Sequence, residues 1–513
     1  VAKPTPDVVI IGAGPAGLTA AYELAKQQQD VCVLEADPRH VGGLSRTVEY
    51  KGFQFDIGGH RFFSKSAQVE DLWTEILPHD LLVRQRSSRI YYRGRFFSYP
   101  LKLGEALQKL GLLEASACVL SYARARLAPA KRPQNFEEWV CRRFGTRLYE
   151  AFFKTYTEKV WGMRCTEISA DWAAQRIKGL SLRSALLSAV RTNGSSRAPS
   201  GIKTLATSFR YPRRGPGMMW NACAERVRAL GGRVQLGRRV VDCAYDAATR
   251  LWTVTHDDML GDREVEQARH LISSAPLRQL AAALTPALSA DALAAAGGLK
   301  YRDFLTVALV LRDRRIFQDQ WIYVHDPAVR VARIQNFKAW SPEMIPDPAL
   351  CCYGLEYFCF AGDGLWNMSD DALVELARRE LCAIGLARRE DVLDGCVIRQ
   401  PKAYPVYDDG YADRVRRVRL EMEARFPTLH VVGRNGMHRY NNQDHAMMTA
   451  LLAAANVMAG QRLFDVWRVN EDAEYLESDS AAGSGAGGLR LVPARVALPA
   501  DPSGASPPPS CLQ

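Results

Sequence analysis

Residues 8–17 read VVIIGAGPAG, and the chain continues as LTAAYELAKQ to residue 27. An apolar strand thus runs into a turn carrying Gly12, Gly14 and Gly17, and then into a helix. That order brings backbone N–H groups and the positive end of a helix to a pyrophosphate. Gly12 permits the tight turn, Gly14 lets a phosphate approach, and Gly17 lets helix and strand pack. Pro15 and Ala16 lie within the same phosphate-facing turn. A second apolar run, VCVLEAD at 31–37, reaches Glu35 about 20 residues after the turn, where a carboxylate accepts the ribose hydroxyls of an adenosine and repels a 2′-phosphate. Ala36 follows it, and GGLSRT at 42–47 adds Gly42, Gly43, Leu44 and Ser45. Glycine turns before helices also arise for purely structural reasons. The coincidence of strand, helix, acid and second glycine pair makes dinucleotide binding the reading here.

The continuation selects among dinucleotides. ADPRHVGGLSRT leading to YKGFQFDIGGHRFF resembles the flavoprotein superfamily of amine oxidases, phytoene desaturases, protoporphyrinogen oxidases and UDP-galactopyranose mutases. In these proteins the second glycine pair lies against the FAD diphosphate. The resemblance implies FAD as cofactor and an α/β fold: a Rossmann-like FAD-binding domain of the GR2 type, a helical insertion, and a second mixed or antiparallel β-sheet domain for substrate.

Composition sets bounds. A chain of 513 residues can bury a large core. Its 47% hydrophobic and 24% charged residues are those of a globular protein. The net charge of +11 fits a site for anionic ligands or a weakly basic surface and lacks the clustered basic footprint of a nucleic-acid binder. Twelve cysteines without a CxxC pair, several in apolar runs, fit reduced thiols and a cytoplasmic location. Neither a signal peptide nor a transmembrane run is read, and no metal site is expected. The amphipathic segment 101–127 is read as a core-facing helix in preference to a peripheral membrane contact.

Along the chain, the FAD-binding domain is expected in three pieces, 1–95, 215–300 and 395–465. Residues 96–214 form the helical insertion and 301–394 the β-sheet substrate domain, while the Gly, Ala, Ser and Pro-rich stretch 470–513 reads as a disordered tail. Residues 192–217 have the composition of a loop, serving as a lid or as a linker.

Several segments specifically resemble UDP-galactopyranose mutases. FDIGGHRFFSK places Gly58, Gly59 and His60 near the flavin ring. GTRLYEAFFKTYTEKVWG resembles the mutase helix with a substrate-contacting tyrosine and an aromatic wall, implying Tyr156, Lys159 and Trp161. Arg176 and Arg333, the latter in RIQNFKAWSP, match diphosphate-binding arginines. Tyr404 matches the tyrosine of a YP segment, and GRNGMHRYNNQDHAMM matches the FAD-binding terminus through Gly433, Arg434, Tyr440, Asn442, Gln443 and Asp444. The strand VQLGRRV nominates Val240 beside adenine, and Tyr323 and Trp340 complete the implied substrate set. His60, Arg176, Arg333, Tyr404 and Tyr440 are the implied catalytic group. The run Asn441 to Asp444 also fits a plain helix cap.

These residue types suit a nucleotide sugar, because guanidinium groups clamp a diphosphate bidentately while aromatic and tyrosine groups hold a sugar face. The resemblance implies reduced flavin acting as a nucleophile in pyranose–furanose interconversion, with NADPH or NADH needed only to prime it. The asparagine-rich continuation of mutases is missing after SYP in SYPLKLG at 98–104. The alternative is an FAD-dependent oxidoreductase, whether dehydrogenase, oxidase or reductase, acting on a non-nucleotide carbon substrate. A third reading, a binding protein like the Rab GDP-dissociation inhibitors, predicts a degraded glycine motif, and the motif here is intact.

Overall fold

The computed structural model describes residues 6–99, 101–129, 133–170 and 208–470. Arg176, most of the 192–217 loop and all of the tail beyond residue 470 lie outside the described residues. Strand Val8–Ile11 is wholly buried and sits at the centre of a five-stranded parallel sheet. Its order is Leu429–Val431, His270–Ser273, Val8–Ile11, Val31–Leu34, Arg233–Gln235. A central parallel strand is covered on both faces, which is why VVII and VCVL are continuously apolar instead of alternating.

Helix Pro15–Lys26 leaves the first strand through the glycine turn, with Pro15 at the first helical position, where its missing N–H costs nothing. Helix Gln443–Met458 packs against it, buried around almost its whole circumference. Such a helix needs its polar ends satisfied. Asn442 and His445 form a reciprocal capping box at the start, and Thr449 Oγ1 accepts the Gly433 N–H at 2.9 Å.

A second, seven-stranded sheet runs Val392–Pro405, Tyr301–Arg312, Leu350–Cys359, Arg333–Asn336, Trp321–Val324, Ser88–Tyr92, Arg95–Ser98. It is antiparallel except where Trp321–Val324 meets Ser88–Tyr92. This sheet crosses the expected boundary of 301–394. It recruits Ser88–Ser98 from one side and Val392–Pro405 from the other, because Tyr301–Arg312 and Trp321–Val324 each leave an edge that those strands pair. The strand Ser208–Pro212 likewise lies within the expected helical insertion, yet pairs with Leu81–Gln85. A smaller sheet, Arg263–Ala268, Leu251–Asp257, Arg239–Asp246 and Leu284–Thr285, flanks the dinucleotide sheet.

The helical layer comprises Leu103–Leu110, Leu112–Leu127, Phe136–Phe144, Thr146–Tyr149 and Thr155–Trp161. Within the segment 101–127, helix Leu103–Leu110 faces the core as expected, through Ala106, Leu107 and Leu110. Helix Leu112–Leu127 departs from expectation, with Leu112, Leu113, Leu120 and Leu127 exposed while Cys118 and Tyr122 turn inward. The described cysteines are free thiols. Among the described residues no helix is long and apolar enough to cross a membrane, and no cluster of metal-ligating side chains occurs.

Gly17 shows how tightly the first turn closes, since a Cβ there would fall 1.8 Å from the Gly12 carbonyl oxygen. Gly17→Ala is expected to cost about 2 kcal/mol or more of stability and to reduce bound flavin. Thermal unfolding and the visible absorbance of the purified variant check both.

Candidate active site

The site begins where three turns meet at the carboxyl end of the parallel sheet. Gly12 N–H donates to Leu34 O at 2.8 Å and Gly42 N–H to Ala13 O at 2.8 Å, fastening the first two turns together. Gly14 and Gly43 face each other as bare backbone, and a Cβ on Gly43 would reach to 3.4 Å from Gly14 Cα. The third turn, Gly433–Gly436, packs behind them, where a Cβ on Gly433 would meet Ala16 Cβ at 3.0 Å. Leu44 and Ser45 lie in the short helical turn after Gly42. The open helix N-terminus at Gly14, which no side chain caps, and the side-chain-free approach at Gly43 fit a diphosphate.

Glu35 is held in place from both sides. Its Oε2 accepts the Ala13 N–H at 2.7 Å and its Oε1 the Asp37 N–H at 2.8 Å. Burial raises its pKa, and these backbone donors oppose that rise. The remaining lone pairs suit ribose hydroxyls. Ala36 is exposed beside it, and the Arg238 N–H to Glu35 O bond of 2.7 Å brings the chain leading to half-buried Val240 alongside.

His60 follows two glycines, Gly58 and Gly59, that face Phe304 and Trp321 of the second sheet. Its Nε2 lies 3.0 Å from Ile57 O and its Nδ1 3.5 Å from Ser45 Oγ. Burial lowers its pKa to about 4, with Arg434 and Arg333 adding to the effect. The imidazole is therefore neutral near pH 7, and serves as a hydrogen-bonding group. Gly58 adopts φ +81°. Gly59 was expected to allow close approach to the flavin, but the space over its backbone is taken by protein. A Cβ there would lie 1.5 Å from Trp321 Cζ3, so packing under that indole accounts for this glycine.

Beyond His60 stands an aromatic cluster around one guanidinium. Arg333 and Glu356 form a buried ion pair at 2.7 Å, and Arg333 Nη2 donates to Tyr404 Oη at 3.1 Å. The Arg333 guanidinium lies over Phe358 and Trp321, at 4.6 and 5.2 Å from their ring centroids. Glu356 also accepts from Gln335 Nε2 at 2.7 Å. Burial raises the Glu356 pKa, opposed chiefly by Arg333. Tyr404 stacks on Tyr440 at 5.4 Å, and Arg434 lies 5.1 and 5.0 Å from those two rings. Trp161 closes on Tyr440 at 6.2 Å. On the other side, Tyr156 stacks on His325 at 4.8 Å and meets Tyr323 edge-on at 5.7 Å, while Tyr323 stacks on Tyr99 at 4.4 Å.

A π-helical turn, Glu150–Lys154, precedes helix Thr155–Trp161 and rotates the phase at which Tyr156 and Trp161 emerge. Two cations then pin that helix. Arg302 donates to Val160 O at 3.1 Å and Lys159 O at 3.3 Å, taking its last carbonyls. Lys159 Nζ donates to Val324 O, Asp326 O and Val331 O at 3.3, 2.6 and 3.1 Å. All three ammonium protons are committed to backbone, so Lys159 fixes the wall and is not a substrate contact. Burial lowers its pKa to about 8.

Trp340 also departs from expectation. It is fully buried, donates to Gln320 O at 3.1 Å and packs on Phe209 and Tyr211, as a core residue. At the C-terminal turn, Asn442 caps the helix. Gln443 Nε2 reaches toward Arg61 O at 3.5 Å, and Asp444 Oδ2 lies 3.4 Å from Ser64 Oγ. Sequence reading overlooked Glu356, Trp321, His325 and Tyr99. A lone acid within the apolar strand LCCYGLEYFC was a usable signal for Glu356. The other three had none apart from their neighbours in space.

A Rossmann-type sheet with two facing glycine turns, an acid held between backbone donors and an aromatic second sheet defines a flavin-dependent enzyme. The chain belongs to the flavin-containing amine oxidoreductase family, whose profile matches residues 15–458. It is similar to a protein named as a UDP-galactopyranose mutase from Klebsiella pneumoniae, with 31% identity over 178 residues, 32% of this chain and 43% of that one. It is also similar to a protein named as a flavin-containing monoamine oxidase from Mycobacterium tuberculosis, with 28% identity over 243 residues, 45% of this chain and 53% of that one. The match therefore spans about half the length of these curated relatives. Among solved structures, reduced UDP-galactopyranose mutase superposes with a TM-score of 0.78 at 23% identity, over 92% of this chain and 98% of that one. A protoporphyrinogen-oxidase-like protein from Exiguobacterium sp. 255-15 gives 0.67 at 17%, over 89% and 100%.

The neutral state of His60 has a measurable consequence. With a folded pKa of about 4 against ~6.5 unfolded, the unfolded chain binds more protons between these values, so stability falls as pH drops through that window. His325, His430 and His438, lowered to about 3, 3 and 4, act in the same direction. The urea midpoint is expected to fall between pH 7 and pH 5, and His60→Gln should remove its share of that slope. An unchanged midpoint would show that these histidines are not neutral in the fold.

Proposed function

We propose that this FAD-dependent enzyme acts on a nucleotide sugar, or a similarly hydroxylated anionic substrate, by a mutase-like isomerisation without net oxidation. The observation that carries this reading is the placement of Arg333 among Tyr404, Trp321 and Phe358, with half-buried Tyr156, Tyr323 and Tyr440 close by. Tyrosine rings bind sugar faces and their hydroxyls exchange hydrogen bonds with sugar hydroxyls. A pocket for an isoprenoid or other hydrocarbon would not need so many phenols.

Bound FAD in its reduced form supplies an electron-rich ring nitrogen able to displace a leaving group from an anomeric carbon. In this reading the chain's own residues orient the sugar and retain the departing diphosphate. Arg333 is the described guanidinium for that task, and Arg176 is its proposed second. Glu356 balances the Arg333 charge while the site is empty, and holds the guanidinium plane in one orientation. Asp444 and the N-terminus of helix Gln443–Met458 are proposed to face the isoalloxazine, with NADPH or NADH as the priming reductant. The second reading is an oxidoreductase on a non-nucleotide carbon substrate. It is favoured by the same Arg333–Glu356 pair, which leaves the guanidinium less free to take an anion.

The test is a titration of the purified protein with UDP and then nucleotide sugars, following the flavin spectrum in oxidised and dithionite-reduced forms. Saturable binding that tightens on reduction, with product of unchanged oxidation state, is the expected result. Arg333→Ala, made together with Glu356→Gln so that no buried carboxylate is left unpaired, should weaken UDP by about 1.5–3 kcal/mol while flavin content stays full. No binding in either redox state would transfer the assignment to the oxidoreductase.

A further inference from the structure

We propose that helix Leu112–Leu127 is an interfacial helix that seats the enzyme on an anionic lipid bilayer. Its apolar side chains face the wrong way for a water-soluble surface. Leu112, Leu113, Leu120 and Leu127 are 89, 90, 71 and 87% exposed, and Val119 is exposed as well. The residues turned to the protein, Cys118 and Tyr122, are 1 and 9% exposed. At roughly 100° per residue, the four leucines and Val119 fall within a single stripe about 120° wide. Arg124 and Arg126, both exposed, project at its two edges. The segment is thus apolar outward and basic along both margins, the arrangement of a helix lying in the headgroup plane.

The charges around the stripe choose the occupant. From residue 93 to 129 the chain carries Arg93, Arg95, Lys102, Lys109, Arg124 and Arg126 against Glu105 and Glu114. A second copy docking across a two-fold axis would bring this basic margin against its own image. A phosphate-bearing bilayer neutralises it instead and accepts the leucines. The helix is anchored for the purpose, packing on Phe136–Phe144 and Thr146–Tyr149. Gly145 touches the Tyr122 backbone so closely that a Cβ there would come within 2.7 Å of its nitrogen.

The experiment is co-sedimentation of the full-length, flavin-loaded protein with phosphatidylcholine vesicles, with and without phosphatidylglycerol. Binding that requires phosphatidylglycerol and weakens with salt is expected. The variants L113S/L120S and R124E should each lose roughly 10-fold in partitioning, with thermal midpoint and flavin content unchanged because these side chains are exposed. Failure to bind anionic vesicles, or loss of affinity in neither variant, overturns the proposal. Concentration-dependent dimerisation abolished by L113S/L120S, without vesicle binding, would assign the stripe to a second copy.

Discussion

Contact of backbone with backbone at the carboxyl end of the parallel sheet is the constraint around which the molecule is arranged. The turns at Gly12–Gly17, Gly42–Ser45 and Gly433–Gly436 come from opposite ends of the chain and pack so that a Cβ on Gly43 would lie 3.4 Å from Gly14 Cα and one on Gly433 3.0 Å from Ala16 Cβ. Each turn is held by a bond outside itself: Gly42 N–H to Ala13 O, Glu35 to the Ala13 N–H, and Gly433 N–H to Thr449 Oγ1. Because the third turn belongs to residues more than 400 positions after the first, the FAD-binding unit closes only when the C-terminal helix docks. Everything between must leave and return within that geometry.

The second sheet solves a different problem, that of keeping an aromatic wall still. Rings on a helix and rings on a sheet can slide past one another unless something polar ties the two together. Here buried cations do so. Lys159 joins the helix bearing Tyr156 and Trp161 to the carbonyls around Val324, beside Tyr323, and Arg302 takes the carbonyls at the same helix's end. Arg333 and Glu356 cross between adjacent strands at a register position where each faces the other. An ion pair so deeply buried adds little net stability for its desolvation, but removing one partner leaves an uncompensated charge. It therefore fixes the guanidinium's position more than it strengthens the fold.

The dinucleotide half was legible because its signals are local. VVIIGAGPAG, VCVLEA and GGL are each decided by turn geometry within a few residues. The strand–turn–helix order and the close packing at Gly17 follow directly. The aromatic half was legible only through resemblance, and two residues show the limit. Lys159 sits in a motif that suggested ligand contact, yet its partners are carbonyls about 170 residues away. Trp340 lies seven residues from Arg333, but a short helix turns it into the core. Side-chain direction at such positions is set by long-range packing, which no local pattern encodes. The bounds 301–394 missed the edges of the seven-stranded sheet for the same reason: Ser88–Tyr92 and Arg95–Ser98 join it only through pairing with Trp321–Val324, more than 200 residues away.

The same comparison gives the exposed helix its meaning. For most of the chain, apolar residues and burial agree, and helix Gln443–Met458 is the extreme case, hidden around nearly its whole surface. Leu112–Leu127 inverts that rule over four turns, with Cys118 and Tyr122 against the protein and its leucines outward. A sequence under no demand but folding in water would exchange those leucines for charges at no cost to the core. Their gathering on one stripe, bounded by Arg124 and Arg126, is the feature on which the bilayer proposal rests. It also distinguishes this helix from the tyrosine wall, whose rings turn toward one another and toward Arg333 inside the molecule.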